Sequence, residues 1–271
     1  MALSSDYLLS ILKISEVNTI EYKLYCGDCL EIMKEIPDNS IDLILCDPPF
    51  GTTSNRWDKP LPFEDMWREY KRIIKDKHAI VIFALEPFAT KLRYSNLKNY
   101  KYDWIWDKHA TNGFLNAKKR PLKRYENICV FSYGAPVYYP QMEVRGKERN
   151  KGWYNYKSGD GDGVYGRYKN IKNKNNIYYP TDILSYSNAK RKGKVHSAQK
   201  PVELLEYLIL TYTNSRGGVE TVLDNCMGSG STGVACVNTD RNFIGIELDH
   251  NYYDIAKERI EEAVTKNDTI I

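Results

Sequence analysis

A glycine-rich turn between two short apolar runs is the feature that most constrains the fold of this chain. The apolar run at residues 221–224 is followed by the sequence GSGSTG at residues 228–233, a helix-like segment to Asn238, and the apolar run at residues 243–247. Glycines at this spacing permit a tight turn and let a ligand approach backbone N–H groups closely. Strand, glycine turn, helix and strand in this order predict a βαβ unit of a parallel sheet.

The rest of the chain continues the alternation of strands and helices. Buried strands are predicted at residues 41–46 and 79–84, with further strands at residues 103–106 and 128–132, because each is a short apolar run. Residues 64–75 place apolar side chains at helical spacing. We therefore expect an α/β protein with a Rossmann-like, mostly parallel sheet flanked by helices.

The alternation stops between residues 133 and 194, in a segment rich in tyrosine and in positive charge. From Gln141 to Lys200 the sequence has fourteen Lys and Arg against five Asp and Glu, although the net charge of the whole chain is only +4. A segment this long is unusual as a plain loop in a compact domain, and its charge favours a polyanion-binding insertion. A solvated loop is the alternative reading of the charge alone.

An acid follows the glycine turn at the spacing expected of a nucleoside site. Glu247 ends the next apolar run, nineteen positions after Gly228. A carboxylate there can accept hydrogen bonds from both ribose hydroxyls, so the whole unit predicts binding of an adenosine moiety. The motif itself does not distinguish NAD, FAD and S-adenosylmethionine, and a nicotinamide-dependent oxidoreductase is one reading of it.

A second motif, Asp47-Pro48-Pro49-Phe50, follows the predicted strand at residues 41–46. Ligand clefts of α/β proteins form at this end of a strand. Proline has no N–H, so the turn leaves the Asp47 carboxylate and the Pro48 carbonyl as free acceptors, and Phe50 adds an aromatic face. Such a set suits a planar heterocycle with an exocyclic amino group, and an ordinary strand-ending turn is the alternative.

Together these motifs resemble those of DNA amino-methyltransferases, which methylate exocyclic nitrogens of bases. Residues 47–50 resemble the catalytic tetrapeptide of that family, and residues 223–233 (LDNCMGSGSTG) resemble its S-adenosylmethionine loop. HSAQKP at residues 196–201 resembles its H-x-x-x-K-P cofactor element, and GDCL at residues 27–30 resembles the element beside the cofactor's adenine. The order of these elements is that of the permuted β group of the family, over roughly residues 22–262.

The resemblance implies a division of the chain. Residues 20–132 form the catalytic half of the methyltransferase domain, 133–194 the target-recognition insertion, and 195–266 the cofactor-binding half. In this arrangement Asp47, Pro48, Pro49 and Phe50 act on the target base, which is flipped out of the duplex. The cofactor, S-adenosyl-L-methionine, is expected to lie against a larger set, namely Asp28, Cys29, His196, Lys200, Pro201, Asp224, Met227, Gly228, Ser229, Gly230, Ser231, Thr232 and Glu247.

Within that set the resemblance assigns separate parts of the cofactor. Asp224 and the following backbone hold the methionine end, Glu247 the ribose, and Lys200 with His196 the methionine carboxylate. Asp28 and Cys29 lie beside the adenine. One departure concerns Cys226, which stands in Asp224-Asn-Cys where the family usually has Asp-Pro-Phe, so the aromatic side chain of the family is missing. Tyr125-Glu126-Asn127 stands where family members often show His-Glu, and receives no role.

The first residue of the tetrapeptide favours adenine N6 as the target atom, because family members with Asp there mostly methylate adenine. Cytosine N4 is the alternative within the family. A DNA-binding protein on an inactive methyltransferase scaffold is a further alternative, against which the intact tetrapeptide argues.

Double-stranded DNA is the expected partner. Lys118, Lys119, Arg120, Lys123 and Arg124 form a basic cluster that we expect to bind its phosphates. A cognate restriction endonuclease and a second copy of the chain are candidate partners by family analogy, and we expect a cytoplasmic enzyme of a bacterial or phage-infected cell. No metal is expected, since Cys26 and Cys29 match only half of a zinc site. No membrane span is expected, since the sequence lacks an apolar run of about 18 residues.

Overall fold

The computed structural model describes residues 20–52, 58–151, 173–188, 199–214 and 218–268. The backbone there forms ten strands and six α-helices, with a short 3-10 helix at Phe114–Asn116. The strands are β1 (Tyr22–Cys26), β2 (Ile41–Cys46), β3 (Ile74–Ala84), β4 (Tyr100–Asn112), β5 (Lys123–Phe131), β6 (Glu143–Lys151), β7 (Asn173–Tyr178), β8 (Ile183–Ser185), β9 (Thr221–Asp224) and β10 (Asn242–Glu247). The helices are α1 (Cys29–Met33), α2 (Phe63–Ile73), α3 (Phe88–Ser95), α4 (Val202–Tyr212), α5 (Ser231–Asn238) and α6 (His250–Asp268).

Eight of these strands form one sheet in the order β1-β10-β9-β2-β3-β5-β4-β8. The first five strands in this order are parallel to one another, whereas β5 is antiparallel to both β3 and β4. The predicted mostly parallel α/β sheet is confirmed. Because β1, β10, β9, β2 and β3 are parallel, their carboxyl ends meet at one edge, which we call the carboxyl edge.

Helices cover both faces of the sheet, and the central strands are therefore buried on both sides. On β2, Leu43 packs into a core with α4, α5 and α6, whereas its neighbour Ile44 packs into a second core with α1, α2 and α3. Every residue of β2 is buried. This explains why the strand reads as a continuous apolar run rather than an alternating one.

The segment Pro140–Thr181 forms a compact unit separate from the rest of the chain. Its described part contains β6 and β7, which pair as antiparallel strands with Glu143 opposite Tyr178. Residues 152–172 and 189–194 of the predicted insertion lie outside the described residues, as do residues 195–198 of the predicted cofactor-binding half. Its role in target recognition therefore stays a prediction.

Among the described residues, no helix has both the length and the apolar character that crossing a bilayer requires.

Candidate active site

Three carboxylates meet at the carboxyl edge of the sheet. Asp47 follows β2, Asp224 ends β9 and Glu247 ends β10, and these three strands are adjacent and parallel. Burial, helped by the nearby charges of Asp47 and Glu247 and opposed by hydrogen bonds from Thr232 and Cys226, raises the pKa of Asp224 to about 7. The proline turn and the glycine turn therefore lie in one electrostatic environment, as the sequence motifs predict.

Glu247 organises the glycine turn through its side chain. Its Oε2 accepts a hydrogen bond from the Gly228 N–H at 2.8 Å, and its Oε1 accepts one from the Asp249 N–H at 2.9 Å. Gly228 and Gly230 both have left-handed backbones, with φ of 52° and 77°. A Cβ on Gly228 would meet nothing within 4 Å, so the protein leaves open space at this point of the turn.

Asp224 is held by the turn that follows it. Its Oδ2 accepts a hydrogen bond from the Thr232 hydroxyl at 2.6 Å, and its Oδ1 accepts one from the Cys226 N–H at 3.1 Å. The Met227 N–H donates to the Ile246 carbonyl at 3.0 Å, and the Met227 side chain is buried. These bonds fix the path of the turn between β9 and α5.

The two serines of the glycine turn face the last helix. The Arg259 guanidinium of α6 donates to the carbonyl and, at 3.0 Å, to the hydroxyl of Ser229, and it lies 3.4 Å from the Ser231 hydroxyl. Both serines are buried. Their side chains therefore join the turn to α6, which leaves backbone groups as their means of contacting a ligand.

The turn after β1 reaches the same edge, because β1 pairs with β10. The Gly27 N–H donates to the Glu247 carbonyl at 2.8 Å. Asp28 then caps α1, its carboxylate accepting from the Leu30 N–H at 2.8 Å. Cys29 is buried and lies 3.6 Å from the Asn225 amide nitrogen. The three motifs of the resemblance that the structure describes in full, at residues 27–30, 47–50 and 223–233, thus lie at the carboxyl edge.

The Asp47 carboxylate contacts Lys200, which precedes α4. The Lys200 Nζ donates to the Asp47 Oδ2 at 2.5 Å. The other oxygen of the carboxylate, Oδ1, is buried and has no hydrogen-bond partner in the described part of the chain. Burial raises the pKa of Asp47, and the Lys200 charge opposes that rise. The prediction that Lys200 borders the methionine carboxylate stays a prediction; the contact that the structure gives it is with Asp47.

Sequence reasoning missed two residues of this site, Glu126 and Lys108. The Lys108 Nζ donates to the Glu126 Oε1 at 3.0 Å, and the Lys200 Nζ lies 3.4 Å from the Glu126 Oε2. Burial opposes the charge of Glu126, but the two ammonium groups outweigh burial and lower its pKa. Both residues lie on strands predicted at least in part, and a charged residue in a buried strand is the signal that could have identified them.

The remaining residues of the tetrapeptide form the turn itself. Pro48 is buried, and Pro49 and Phe50 are half-buried. The Phe50 ring packs on Phe88 of α3, with ring centroids 5.2 Å apart. The chain then turns through Gly51, whose N–H donates to the Asp58 carboxylate at 2.7 Å.

The predicted basic cluster divides into two groups. Lys118, Lys119 and Arg120 are exposed. Lys123 donates to the Glu86 carbonyl at 3.1 Å, and Arg124 makes two hydrogen bonds of 2.7 Å to the Asp107 carboxylate. Of the other predicted residues, Pro201 immediately precedes α4 and His196 lies outside the described residues.

A second group of potential ligands lies at the other edge of the sheet. Asp42, His78 and Glu220 bring three ligand atoms within 4.8 Å of one another. The Lys75 ammonium, however, bonds both oxygens of Asp42, at 2.7 and 2.8 Å. A protein cation thus already neutralises the carboxylate that a metal would need.

Comparison with known proteins agrees with this geometry. The N6_N4_Mtase family model, described as DNA methylase, matches residues 41–258. The type II methyltransferase M.HpaI of Haemophilus parainfluenzae is 27% identical over 93% of this chain and 78% of its own length. M.HinfI of Haemophilus influenzae is 28% identical over 95% of this chain and 70% of its own length.

Solved structures show the same fold. The structure of an M1.HpyAVI–SAM complex is 25% identical, with a TM-score of 0.57 over 88% of this chain and 99% of that one. The PvuII cytosine-N4-specific DNA methyltransferase is 17% identical, with a TM-score of 0.62 over 92% of both chains.

Proposed function

Since the chain belongs to the DNA methylase family and is an S-adenosyl-L-methionine-dependent DNA amino-methyltransferase, we propose that its target is the exocyclic N6 of an adenine in double-stranded DNA. Asp47 at the head of the tetrapeptide supports adenine, because Asp in this place mostly accompanies adenine in the family. We further propose that the target base is flipped out of the duplex, because its amino group is out of reach inside the stack.

The observation that carries this proposal is the free oxygen of Asp47. A buried carboxylate oxygen without a hydrogen-bond partner costs free energy, and an N–H group of a ligand removes that cost. Among the residues that the structure describes, the Asp47 Oδ1 is such an oxygen. The Pro48 carbonyl supplies a second acceptor in the same turn. Two adjacent acceptors match the two N–H groups of an exocyclic amino group.

The acceptors address the weak nucleophilicity of the amino nitrogen, whose lone pair is delocalised into the ring. When Asp47 and the Pro48 carbonyl each accept one N–H, the nitrogen is drawn towards a pyramidal geometry and its lone pair becomes available. Positioned acceptors of this kind stabilise charge that develops in the transition state. Phe50 would stack on the base and fix its plane.

The reaction forms one N–C bond, breaks the S–C bond to the transferred methyl group with S-adenosyl-L-homocysteine as the leaving group, and releases one proton from the nitrogen. S-adenosyl-L-methionine supplies an electrophilic methyl group, and the attacked nitrogen must lose an N–H proton to become the neutral product. Asp47 is placed to accept that proton, and its burial, by raising its pKa, increases its basicity. The Lys200 ammonium at 2.5 Å keeps the carboxylate oriented while it does so.

The carboxyl edge fits the cofactor chemically. A ligand with a sulfonium, an ammonium and a ribose diol suits a site lined by Asp28, Asp224 and Glu247. We propose that Glu247 holds the ribose hydroxyls and that Asp28 and Cys29 lie beside the adenine. Asp224 and the glycine turn would hold the methionine end, where Gly228 leaves open space.

Methyl transfer from labelled S-adenosyl-L-methionine to genomic DNA from a methylation-deficient host tests the proposal. Nucleoside analysis of the product is expected to give N6-methyladenine. Asp47→Asn, which keeps the size of the side chain and loses its charge, should lower activity at least about 100-fold, the usual scale of such a loss. Asp65→Asn is the matched control, since Asp65 is a half-buried residue of α2 whose carboxylate pairs with the exposed Arg68.

N4-methylcytosine as the product would refute the adenine assignment. Full activity of Asp47→Asn would refute the role of Asp47. A restriction endonuclease partner and dimerisation stay predictions.

A further inference from the structure

The turn that joins β4 to β5 presents two large apolar side chains to solvent. Phe114 is 82% exposed and Leu115 is 95% exposed. They lie in the short 3-10 helix that starts after Gly113, a residue with φ of 91°. Exposing neighbouring large apolar side chains is unfavourable, and a group of them marks an interaction surface. We call Phe114 and Leu115 the apolar tip.

Positive charge directly follows the apolar tip. Lys118, Lys119 and Arg120 are all exposed. None of the three has an ion pair with an acid in the described part of the chain. An apolar tip beside free cations is complementary to a partner with an anionic surface and a flat apolar interior. Duplex DNA, with phosphates outside and stacked bases inside, has this chemistry.

The hairpin that carries the tip starts at the proposed catalytic site. Trp106 pairs with Glu126 and Asn112 pairs with Lys123 across β4 and β5. Glu126 lies 3.4 Å from the Lys200 ammonium, which bonds Asp47. Lys123 lies three residues beyond Glu126, or about 10 Å along an extended strand. The hairpin therefore extends from a residue that contacts Lys200 to the apolar tip.

Several contacts hold the base of this hairpin in place. Arg124 bonds the Asp107 carboxylate twice at 2.7 Å, and Lys108 bonds Glu126 at 3.0 Å. The His109 ring bonds the Ser185 hydroxyl at 2.5 Å. A side chain that must enter a base stack needs such a rigid support. The structure thus combines an anchored base with a tip whose apolar side chains are exposed.

We propose that Phe114 and Leu115 form a wedge that enters the base stack and fills the space left by the flipped target base. Lys118, Lys119 and Arg120 would bind the phosphates on either side. Apolar wedges that partly unstack bases are a general means by which proteins deform a duplex. The inference rests on the proposed function, because it requires that the target base leave the stack.

The test compares two duplexes that contain the methylation site found by sequencing the product of the wild-type enzyme. In one duplex the target adenine is normally paired, and in the other it lies opposite an abasic site. The Phe114→Ser/Leu115→Ser variant should lose about 10- to 100-fold in kcat/KM on the paired duplex, the range for lost stacking contacts. On the abasic duplex it should recover to within about threefold of wild type, because little unpairing remains to be done.

Tyr94→Ser/Leu97→Ser is the matched control, since both side chains are exposed and lie near the other end of β4, Tyr94 in the last turn of α3 and Leu97 in the loop that follows. It should keep wild-type activity on both duplexes. The conservative variant Phe114→Tyr/Leu115→Met should also keep its activity, because it retains a large flat ring and a large apolar side chain.

Three results would overturn the wedge. The first two are an equal loss of kcat/KM by the Phe114→Ser/Leu115→Ser variant on both duplexes and no loss on either duplex. The third is a change in the oligomeric state of that variant, measured by light scattering, which would identify the tip as a contact between copies of the chain. If sequencing of the wild-type product finds no methylated adenine, that result would instead refute the proposed function itself.

Discussion

Replacing Lys200 by methionine tests the charge arrangement at the centre of the site. The Lys200 ammonium lies 2.5 Å from Asp47 and 3.4 Å from Glu126. Its side chain is only 9% exposed and that of Glu126 only 10%. Methionine keeps the length and apolar stem of the side chain but leaves two carboxylates without the cation they share.

The expected loss is large because these charges are buried. Removing one partner of a buried ion pair leaves an uncompensated charge and typically costs about 3–5 kcal/mol of unfolding free energy. Arg124→Met removes a cation from Asp107 at 2.7 Å, but the Arg124 side chain is 59% exposed. An exposed pair contributes at most about 1 kcal/mol. Comparing the two variants therefore separates the effect of burial on the unfolding free energy from the effect of simply losing an ion pair.

The pH dependence of the loss follows from the sign of the pKa shifts. In the wild type, the neighbouring cations lower the pKa of Glu126, so its stabilisation is present above its ordinary pKa and is lost as the pH falls. In Lys200→Met, Asp47 would lose the cation that opposes burial and its pKa would rise further, whereas Glu126 would keep the opposing charge of Lys108. The variant would then lose stability as the pH rises, and its deficit should shrink between about pH 8 and about pH 5.

Urea unfolding followed by circular dichroism measures both effects. Adding Asp47→Asn to Lys200→Met should recover part of the stability, because it removes the carboxylate left without a cation, whereas Glu126 keeps its ion pair with Lys108 at 3.0 Å. If Lys200→Met costs no more than Arg124→Met, or if its deficit grows on acidification, the buried charges do not interact as described.

Three further predictions concern the glycine turn and the basic cluster. Burial raises the pKa of Asp224 to about 7, so wild-type stability without cofactor should fall by up to about 4 kcal/mol as the pH rises from about 4 to about 7. Urea unfolding of Asp224→Asn should show no such fall. Gly228→Ala should cost about 1–2 kcal/mol for its left-handed backbone, whereas Gly230→Ala should cost more in thermal unfolding, because its Cβ would also lie 2.9 Å from the Ala256 Cα. Neutralising residues 118–120 should reduce the slope of log K for DNA binding against log salt by about 2–3. Neutralising residues 123–124 should change that slope by less than about 1, because the side chains of these two residues already have protein partners.

The sequence predicted a strand best where its pattern of apolar residues reflected the burial of that same strand. The bounds predicted for β2 and β9 agree with the structure, because strands buried on both faces are short uninterrupted apolar runs. β4 extends well beyond its predicted four residues, because its outer part is exposed and carries no apolar signal. α1 and α3 were not predicted, since five and eight residues are too few for a clear helical period.

The candidate site shows a similar division. Motifs located Asp47, Asp224 and Glu247, because each acid ends an apolar run and parallel strands bring such ends together. The sequence could not reveal that Lys200 contacts Asp47, 153 positions away. Glu126 and Lys108 were missed for the same reason, since their importance lies in contacts between separate strands that no local spacing encodes.

The contacts that the sequence could not reveal resolve a conflict in the proposed chemistry. To draw the proton of an amino group, the Asp47 carboxylate must be ionised, yet the dry surroundings that exclude water favour its neutral form. Lys200 opposes that effect by holding one oxygen with a positive charge. Glu126 in turn stabilises the buried ammonium, and Lys108 neutralises Glu126. This chain of alternating charges limits the rise that burial imposes on the pKa of Asp47, and in the proposed reaction the second oxygen of the carboxylate accepts from the substrate.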